Sequence, residues 1–345
     1  MNIYDIAEKA NVSPATVSRV INGNKSVREE TRRKVQKIIE ETNYVPNSLA
    51  RNLSVGETRN IAFLAPDIEN PFFSKILHGL SDTANHYGYN VFMYGTNDNL
   101  EIEHRILNDV QKERIKGLVI IPVSDKDKIT AEKLESLEKN QIPIVLIDRD
   151  IIHAEFDGVF SDDCEGARQA VKCLIDSGHT RIAIITGERN SRPGRERLKG
   201  YEKALEESGI EKKSDYIVGG SFKENAAYQA CQRLMDLKEP PTAIFTSNNL
   251  ITLGCLKFMK DKDMKIGRDI SMVCFDEIHE LSCTDINLTT VDRPVYEMGC
   301  AALELLEYSF QSLTGNGKEK IMRRTNIVKT NLIIRGSEKL KKLKK

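Results

Sequence analysis

No apolar run in the chain approaches the ~20 residues that a membrane-spanning helix requires, and charges recur from the start, Met1-Asn2-Ile3-Tyr4-Asp5. Neither a secretory leader nor a membrane span is expected, and the cytoplasm is the expected compartment. The seven cysteines, at 164, 173, 231, 255, 274, 283 and 300, never form a C-x-x-C pair. A disulfide framework or zinc site is therefore not expected, and the thiols read as reduced, mostly buried small hydrophobes. No G-x-G-x-x-G follows a strand-like run, and neither a G-x-x-x-x-G-K-[ST] loop nor a G-x-S-x-G elbow occurs. The six histidines lack H-x-x-x-H spacing. Nucleotide-dependent, hydrolytic and metal chemistry thus have no carrier, and no enzyme activity, metal or cofactor is expected. The chain also lacks net charge, with 51 Lys and Arg against 51 Asp and Glu, which at face value discourages a nucleic-acid partner.

What is present is a 345-residue chain, 40% hydrophobic, long enough for about two or three domains. Its texture changes near residue 58. Residues 1–53 read as short helical pieces. Ile6, Ala7 and Ala10 recur at helical spacing within Ile3 to Ala10. Ser13 followed by Pro14 is a helix start, and Val17, Val20 and Ile21 form that helix's apolar side. A longer helix is predicted from about Arg28 to Glu41, with Val35, Ile38 and Ile39 inward, and two turns from Asn47 to Leu53. From residue 60, short apolar runs alternate with helical stretches. The first series is Ile61–Pro66, Asn90–Gly95, Gly117–Pro122 and Pro143–Asp148. The second is Val159–Asp162, Arg181–Gly187, Tyr216–Gly219, Ala243–Ser247 and Ser271–Asp276. Continuous apolar runs between helices imply parallel sheets covered on both faces, and two series imply two lobes. Ligands in such sheets bind beyond the carboxyl ends of the strands.

In the N-terminal segment, helix, tight turn and helix form a helix-turn-helix signal. Hydroxyls of Ser13, Thr16 and Ser18 at a helix start suit phosphates. Arg19 suits a bidentate contact to guanine, while Pro14 and Ala15 offer only shape or contact with a thymine methyl. The stretch from Tyr4 through Ser13-Pro14-Ala15-Thr16-Val17-Ser18-Arg19 to Asn22, followed by Thr31-Arg32-Arg33-Lys34-Val35 and Asn43-Tyr44-Val45-Pro46-Asn47, resembles the headpiece of the lactose and galactose repressor family. The likeness runs through almost the whole chain. It implies DNA contacts from Tyr4, Asn22, Tyr44 and Asn47, and a hinge helix over Asn47 to Leu53 in which Ala50 permits close approach and Leu53 is a minor-groove wedge. So short a helix is far below the ~12 residues at which isolated helices become marginal, so it is expected to form only on DNA with a partner chain.

Strand ends in the larger part carry Asn70, Phe72, Phe73, Asp148, Arg149, Arg195, Arg197, Phe222, Asn248, Asp276 and Arg293. Carboxylates, amides and guanidinium groups bracketed by aromatic rings suit a polyhydroxylated ligand. Singly, Asp148 or Asp276 reads equally as a helix cap and Asn248 as a loop brace. Together with the flanking pattern they resemble the site of ribose-type periplasmic sugar-binding proteins. Arg293 departs from that pattern, which has glutamine there. It is expected either to favour a sugar acid or sugar phosphate, or to pair with Asp292 or Asp276 and leave a neutral pentose preferred.

The expected organisation is α/β. An all-α headpiece with hinge helix occupies 1–58, and a two-lobed periplasmic-binding-protein-like core of doubly wound parallel sheets occupies 59–336. The first lobe takes about 60–160 and 293–322, the second about 161–291 and 323–336, and 337–345 is a basic tail without leucine heptads. The expected function is a homodimeric, sugar-controlled regulator of double-stranded operator DNA, most simply a repressor; the alternative is a catabolite-control regulator governed by a phosphorylated carrier protein. The zero net charge then conceals a split. Residues 1–53 hold nine basic and six acidic side chains, 9 − 6 = +3, and the rest hold 42 and 45, 42 − 45 = −3. Residues 9–28 and 42–56 contain no acid at all, which clears carboxylates from where phosphates would lie.

Overall fold

Asn2 opens the first helix with a capping box, its side chain accepting from the amides of Tyr4 and Asp5 while the Asp5 carboxylate accepts from the Asn2 amide. The computed structural model describes residues 2–21, 24, 26–42, 44, 58–314 and 323–339. The chain divides into two units, Met1–Thr58 and Arg59–Lys345. The first holds α1 (Ile3–Ala10), α2 (Pro14–Ile21) and α3 (Glu29–Glu41). Ile6, Ala7, Ala10, Val17, Val20 and Val35 form its core, with Ile38 and Ile39 packed partly buried at the edge. These are the inward positions predicted from the periodicity. The hinge-helix stretch, Asn47 to Leu53, lies outside the described residues, as does Asn22.

The second unit contains two six-stranded sheets. Its strands are β1 (Asn60–Ala65), β2 (Asn90–Gly95), β3 (Gly117–Ile120), β4 (Ile144–Ile147), β5 (Asp157–Ser161), β6 (Ile182–Thr186), β7 (Ile217–Gly219), β8 (Ala243–Thr246), β9 (Ser271–Phe275), β10 (Thr289–Asp292), β11 (Thr325–Val328) and β12 (Asn331–Ile333). Its helices are α4 (Pro71–Tyr87), α5 (Leu100–Lys112), α6 (Lys128–Lys139), α7 (Asp163–Asp176), α8 (Arg192–Glu207), α9 (Glu224–Met235), α10 (Asn249–Asp261) and α11 (Val295–Thr314). The first sheet runs β11-β5-β4-β3-β1-β2 and the second β12-β10-β9-β8-β6-β7. One order maps onto the other strand for strand. All the pairings are parallel except β10 with β12.

Alternate residues of each strand feed opposite layers. Ile61, Phe63 and Ala65 face α4 and α11, while Ala62 and Leu64 face α5 and α6. Ile182 and Ile184 face α7 and α8, and Ala183 and Ile185 face α9 and α10. Helices α4 and α11 approach closely: a Cβ added at Gly79 would lie 2.0 Å from the Tyr296 carbonyl oxygen. Gly79→Ala should therefore destabilise the protein by about 1–3 kcal/mol; an unshifted urea midpoint would show that the helices can part freely.

Three expectations need correction. The run at 159–162 was placed at the head of the second series, but β5 pairs with β4 in the first sheet. The crossover follows it, where Asp162 caps α7 by accepting from the Glu165 amide at 3.3 Å. The block 323–336 was given to the second lobe, yet β11 adds to β5 in the first sheet, and only β12 belongs to the second. The tail was begun at Ser337, but Ser337 and Glu338 are buried. Ser337 Oγ accepts from the Thr289 amide at 2.7 Å and donates to the Met272 carbonyl at 2.6 Å, which anchors this segment to β9 and β10. The chain thus crosses between lobes after β5, after β10 and between β11 and β12. The first and third crossings are joined by the Asp162 amide donating to the Val328 carbonyl at 3.0 Å.

Candidate DNA-binding helix and effector cleft

In the first unit, Val17 and Val20 bury one side of α2, which turns Ala15 and Arg19, four residues apart, to the exposed side. Ser13 begins the helix: its Oγ accepts from the Thr16 amide at 3.2 Å and lies 2.9 Å from Thr16 Oγ1. One hydroxyl of that pair donates to the other, leaving the second O–H to donate outward. Pro14 is the first helical residue, and Thr16 and Ser18 are half-buried. Tyr4 is 69% exposed. Tyr44 instead packs half-buried against the headpiece core, so its ring is partly committed to the fold. Asn22, Asn47, Ala50 and Leu53 fall outside the described residues.

In the second unit, the carboxyl ends of both sheets converge on one cleft. Asn70, Phe72, Phe73, Asp148, Arg149, Arg197, Phe222, Asn248, Asp276 and Arg293 all line it. Asn70 caps α4, its Oδ1 accepting from the Phe72 amide at 3.0 Å and from Asn249 Nδ2 of the opposite lobe at 2.8 Å. Phe72 and Phe73 meet edge to face at 5.1 Å. Phe222 is accommodated by Gly187, where an added Cβ would sit 2.0 Å from the ring. Asn248 caps α10, its Oδ1 accepting from the Ile251 amide at 2.8 Å. Asp148 and Asp276 cap nothing. They end β4 and β9, equivalent strands of the two sheets, and both take left-handed backbone angles, φ 64° and 72°. Such angles are uncommon outside glycine and cluster at functional sites.

Each arginine of the cleft is matched by carboxylate. Arg149 Nη1 donates to Asp98 at 3.0 Å and to the carbonyls of Pro122 and Val123, both at 3.3 Å. Arg197 Nε donates to Asp163 at 2.9 Å, its Nη1 donates to the Ser247 carbonyl at 2.5 Å, and the guanidinium lies 3.8 Å from the Phe275 ring centroid. Arg293 joins the lobes, its Nη1 donating to Asp148 at 2.6 Å and its Nε to Asp276 at 2.8 Å. Of the two pairings expected for Arg293, the one with Asp276 is therefore realised through its side chain. Burial works to lower the Arg293 pKa, but Asp276, Asp148 and Asp163 outweigh it and raise it above the ordinary value. Burial raises the Asp163 pKa, with Arg197 opposing. The space left open is about 40 Å³, enough for a few water molecules and not for a sugar ring.

Arg195 does not line the cleft. It is directed away to Asp125, with Asp150 also at 3.1 Å. The sequence reading missed Asp67, Asp98, Pro193, Lys223, Asn249 and Leu250 as lining residues. Asp98 had a signal, since it follows the second apolar run, where the strand-end rule already pointed. Among the described residues no helix is long and apolar enough to cross a membrane, and no group of three or more His, Cys, Asp or Glu side chains is placed to hold a metal ion. All seven cysteines are free; three are buried, three half-buried and one, Cys283, exposed.

Residues 58–330 match the family described as periplasmic binding proteins and sugar binding domain of LacI family, and residues 2–47 match bacterial regulatory proteins, lacI family. Catabolite control protein A of Priestia megaterium is 34% identical over 307 residues, 89% of this chain and 91% of that protein. The HTH-type transcriptional repressor PurR of Aliivibrio salmonicida is 32% identical over 305 residues, 88% and 90% of the two chains. The lac repressor dimer bound to operator and an anti-inducer superposes with a TM-score of 0.82 over 98% of this chain and 99% of its own, and at 23% identity it speaks for the fold alone. The exposed face of α2 and the two-lobed cleft thus sit in matched sequence from end to end, and the chain belongs to the LacI family of DNA-binding bacterial transcriptional regulators.

Proposed function

We propose that this regulator is a homodimeric repressor whose operator affinity is set by a neutral sugar bound between the lobes. The observation that carries the effector reading is the convergence of Asn70, Phe72, Asp148, Arg149, Phe222, Asn248 and Asp276 on one cleft. Hydroxyls need both donors and acceptors, which these amides, carboxylates and guanidinium groups supply, while Phe72 and Phe222 offer faces to an apolar ring surface. The charge balance favours a neutral ligand over a sugar acid or phosphate. Arg149, Arg197 and Arg293 are each paired with aspartate, so an anion would find these three cations already occupied and only the exposed Lys223 left to meet it. Operator DNA meets the exposed face of α2, with Arg19 reading bases, and two headpieces on one two-fold axis read a palindrome.

The test is a mobility shift on genomic fragments, with and without neutral pentoses and hexoses. A responsive sugar should change operator affinity by about 5- to 150-fold, the usual range of allosteric coupling. Phe222→Ala should raise the sugar concentration needed by about tenfold through loss of ring contact. Retention of the wild-type sugar response would mean that the ligand sits elsewhere. A footprint indifferent to every sugar would favour the catabolite-control reading, which the relation to catabolite control protein A supports.

A further inference from the structure

The place a ligand ring would take in the cleft is held by a side chain of the chain itself. Arg293 leaves the crossover after β10 with its guanidinium 4.2 Å from the Phe72 ring centroid. One edge donates to Asp148 of the first lobe at 2.6 Å and to Ser161 Oγ at 3.1 Å, and the other donates to Asp276 of the second lobe at 2.8 Å. A flat group on an aromatic face, with donors directed to carboxylates on both sides, satisfies the same polar atoms that a bound polyol would satisfy. We propose that Arg293 is a built-in ligand: it holds the two lobes closed in the absence of effector, and an effector acts by taking its place between Asp148 and Asp276. This rests on the effector reading for what replaces the guanidinium, but not for the latch itself.

The electrostatics require some cation or donor at this point. Asp148 and Asp276 are each at most 7% exposed, and without Arg293 they would leave two carboxylates of like charge in a closed cleft. Arg149 is engaged with Asp98, and Arg197 is engaged with Asp163 and stands 3.7 Å from Asp276. Opening the lobes is the route by which the two carboxylates regain water. Arg293 also has somewhere to go when displaced, because it lines a second, outward cleft of about 570 Å³ with Lys75, His279, Asp292 and Glu297. Asp292 and Glu297 there are the acceptors for its charge, which it would share with Lys75 and Lys329. The displacing ligand must offer donors to both carboxylates, as a neutral polyol does and a phosphate does not.

The Asp125 amide, which donates across the lobes to the Asn190 carbonyl at 3.0 Å without touching Arg293, reports closure by hydrogen exchange. In the full-length, ligand-free protein, Arg293→Gln should make this amide exchange about tenfold faster or more, while β6 keeps its protection. Wild-type protection at Asp125 in that variant would overturn the latch. If Arg293→Gln loses protection in β6 as well, Arg293→Lys decides by the same criterion, since lysine keeps the charge but cannot fork to both carboxylates. Titration of both proteins with ribose and glucose separates the two readings. Faster exchange with no sugar binding removes the effector reading and leaves the latch, whereas sugar binding with unchanged exchange does the reverse.

Discussion

Arg197→Met is expected to lower the unfolding free energy at pH 7 by about 3–5 kcal/mol, the usual cost of removing one partner from a buried ion pair. The Arg197 side chain is 2% exposed and that of Asp163 is fully buried. Methionine keeps an unbranched apolar stem but gives up the guanidinium's contact with the Phe275 ring, so the loss combines the charge with that contact. It strands the Asp163 carboxylate and leaves the Ser247 carbonyl without its donor. Burial already raises the Asp163 pKa, and removing the guanidinium raises it further. A carboxyl whose folded pKa exceeds its unfolded value favours folding only while protonated. The deficit should therefore shrink as pH falls toward the ordinary aspartate value of about 3.9 and grow as pH rises. The chain has no tryptophan, so urea denaturation followed by circular dichroism at pH 7 and pH 5 is the measurement. A loss below about 1 kcal/mol at pH 7 would mean that Asp163 finds another partner or water.

Arg19→Ala is expected to weaken specific operator binding by about 1–3 kcal/mol, roughly 5- to 150-fold, with a smaller effect on random DNA. The residue is exposed one turn beyond Ala15 on the side of α2 opposite Val17 and Val20, so the substitution leaves the headpiece core untouched. Fluorescence anisotropy on operator and scrambled duplexes across a salt series separates the possible roles. Equal losses on both duplexes, with a shallower salt slope, would make Arg19 a phosphate contact. No loss on either would place the recognition surface elsewhere.

The nine runs that announced β1 to β9 were legible because the strands carry little polar interruption and, apart from the edge strands β2 and β7, are covered on both faces. β10 to β12 were not. Three of the four residues of Thr289-Thr290-Val291-Asp292 are polar, β11 is mostly exposed, and β12 is a three-residue edge strand. Their pairing follows from the crossovers, which local pattern does not encode. Arg195 and Arg197 of α8 illustrate a finer limit. Two residues apart on a helix, they point about 200° from each other, so only one can face the cleft. Helical phase could have chosen between them. Arg197, Tyr201, Ala204 and Leu205 are all buried at spacings of four, three and one, which mark the inward side and leave Arg195 off it. For Asp148 and Asp276, residue type alone left capping and ligation open; that they take left-handed angles and share Arg293 arises from tertiary structure.

The three crossings between lobes have a mechanical meaning. A single connecting strand would let two bodies twist, slide and bend alike. Here the crossings converge on the β5/β11 edge of one sheet and the β10/β12 edge of the other, cross-linked by the Asp162 amide to the Val328 carbonyl and by Arg293 to Ser161. Such a ribbon resists shear and leaves rotation about its own line as the soft coordinate. Arg293 stands on that line. A side chain at the pivot changes an angle there, and distance from the axis converts the angle into displacement, so a substitution of a few atoms at the hinge has the rest of each lobe as its lever arm.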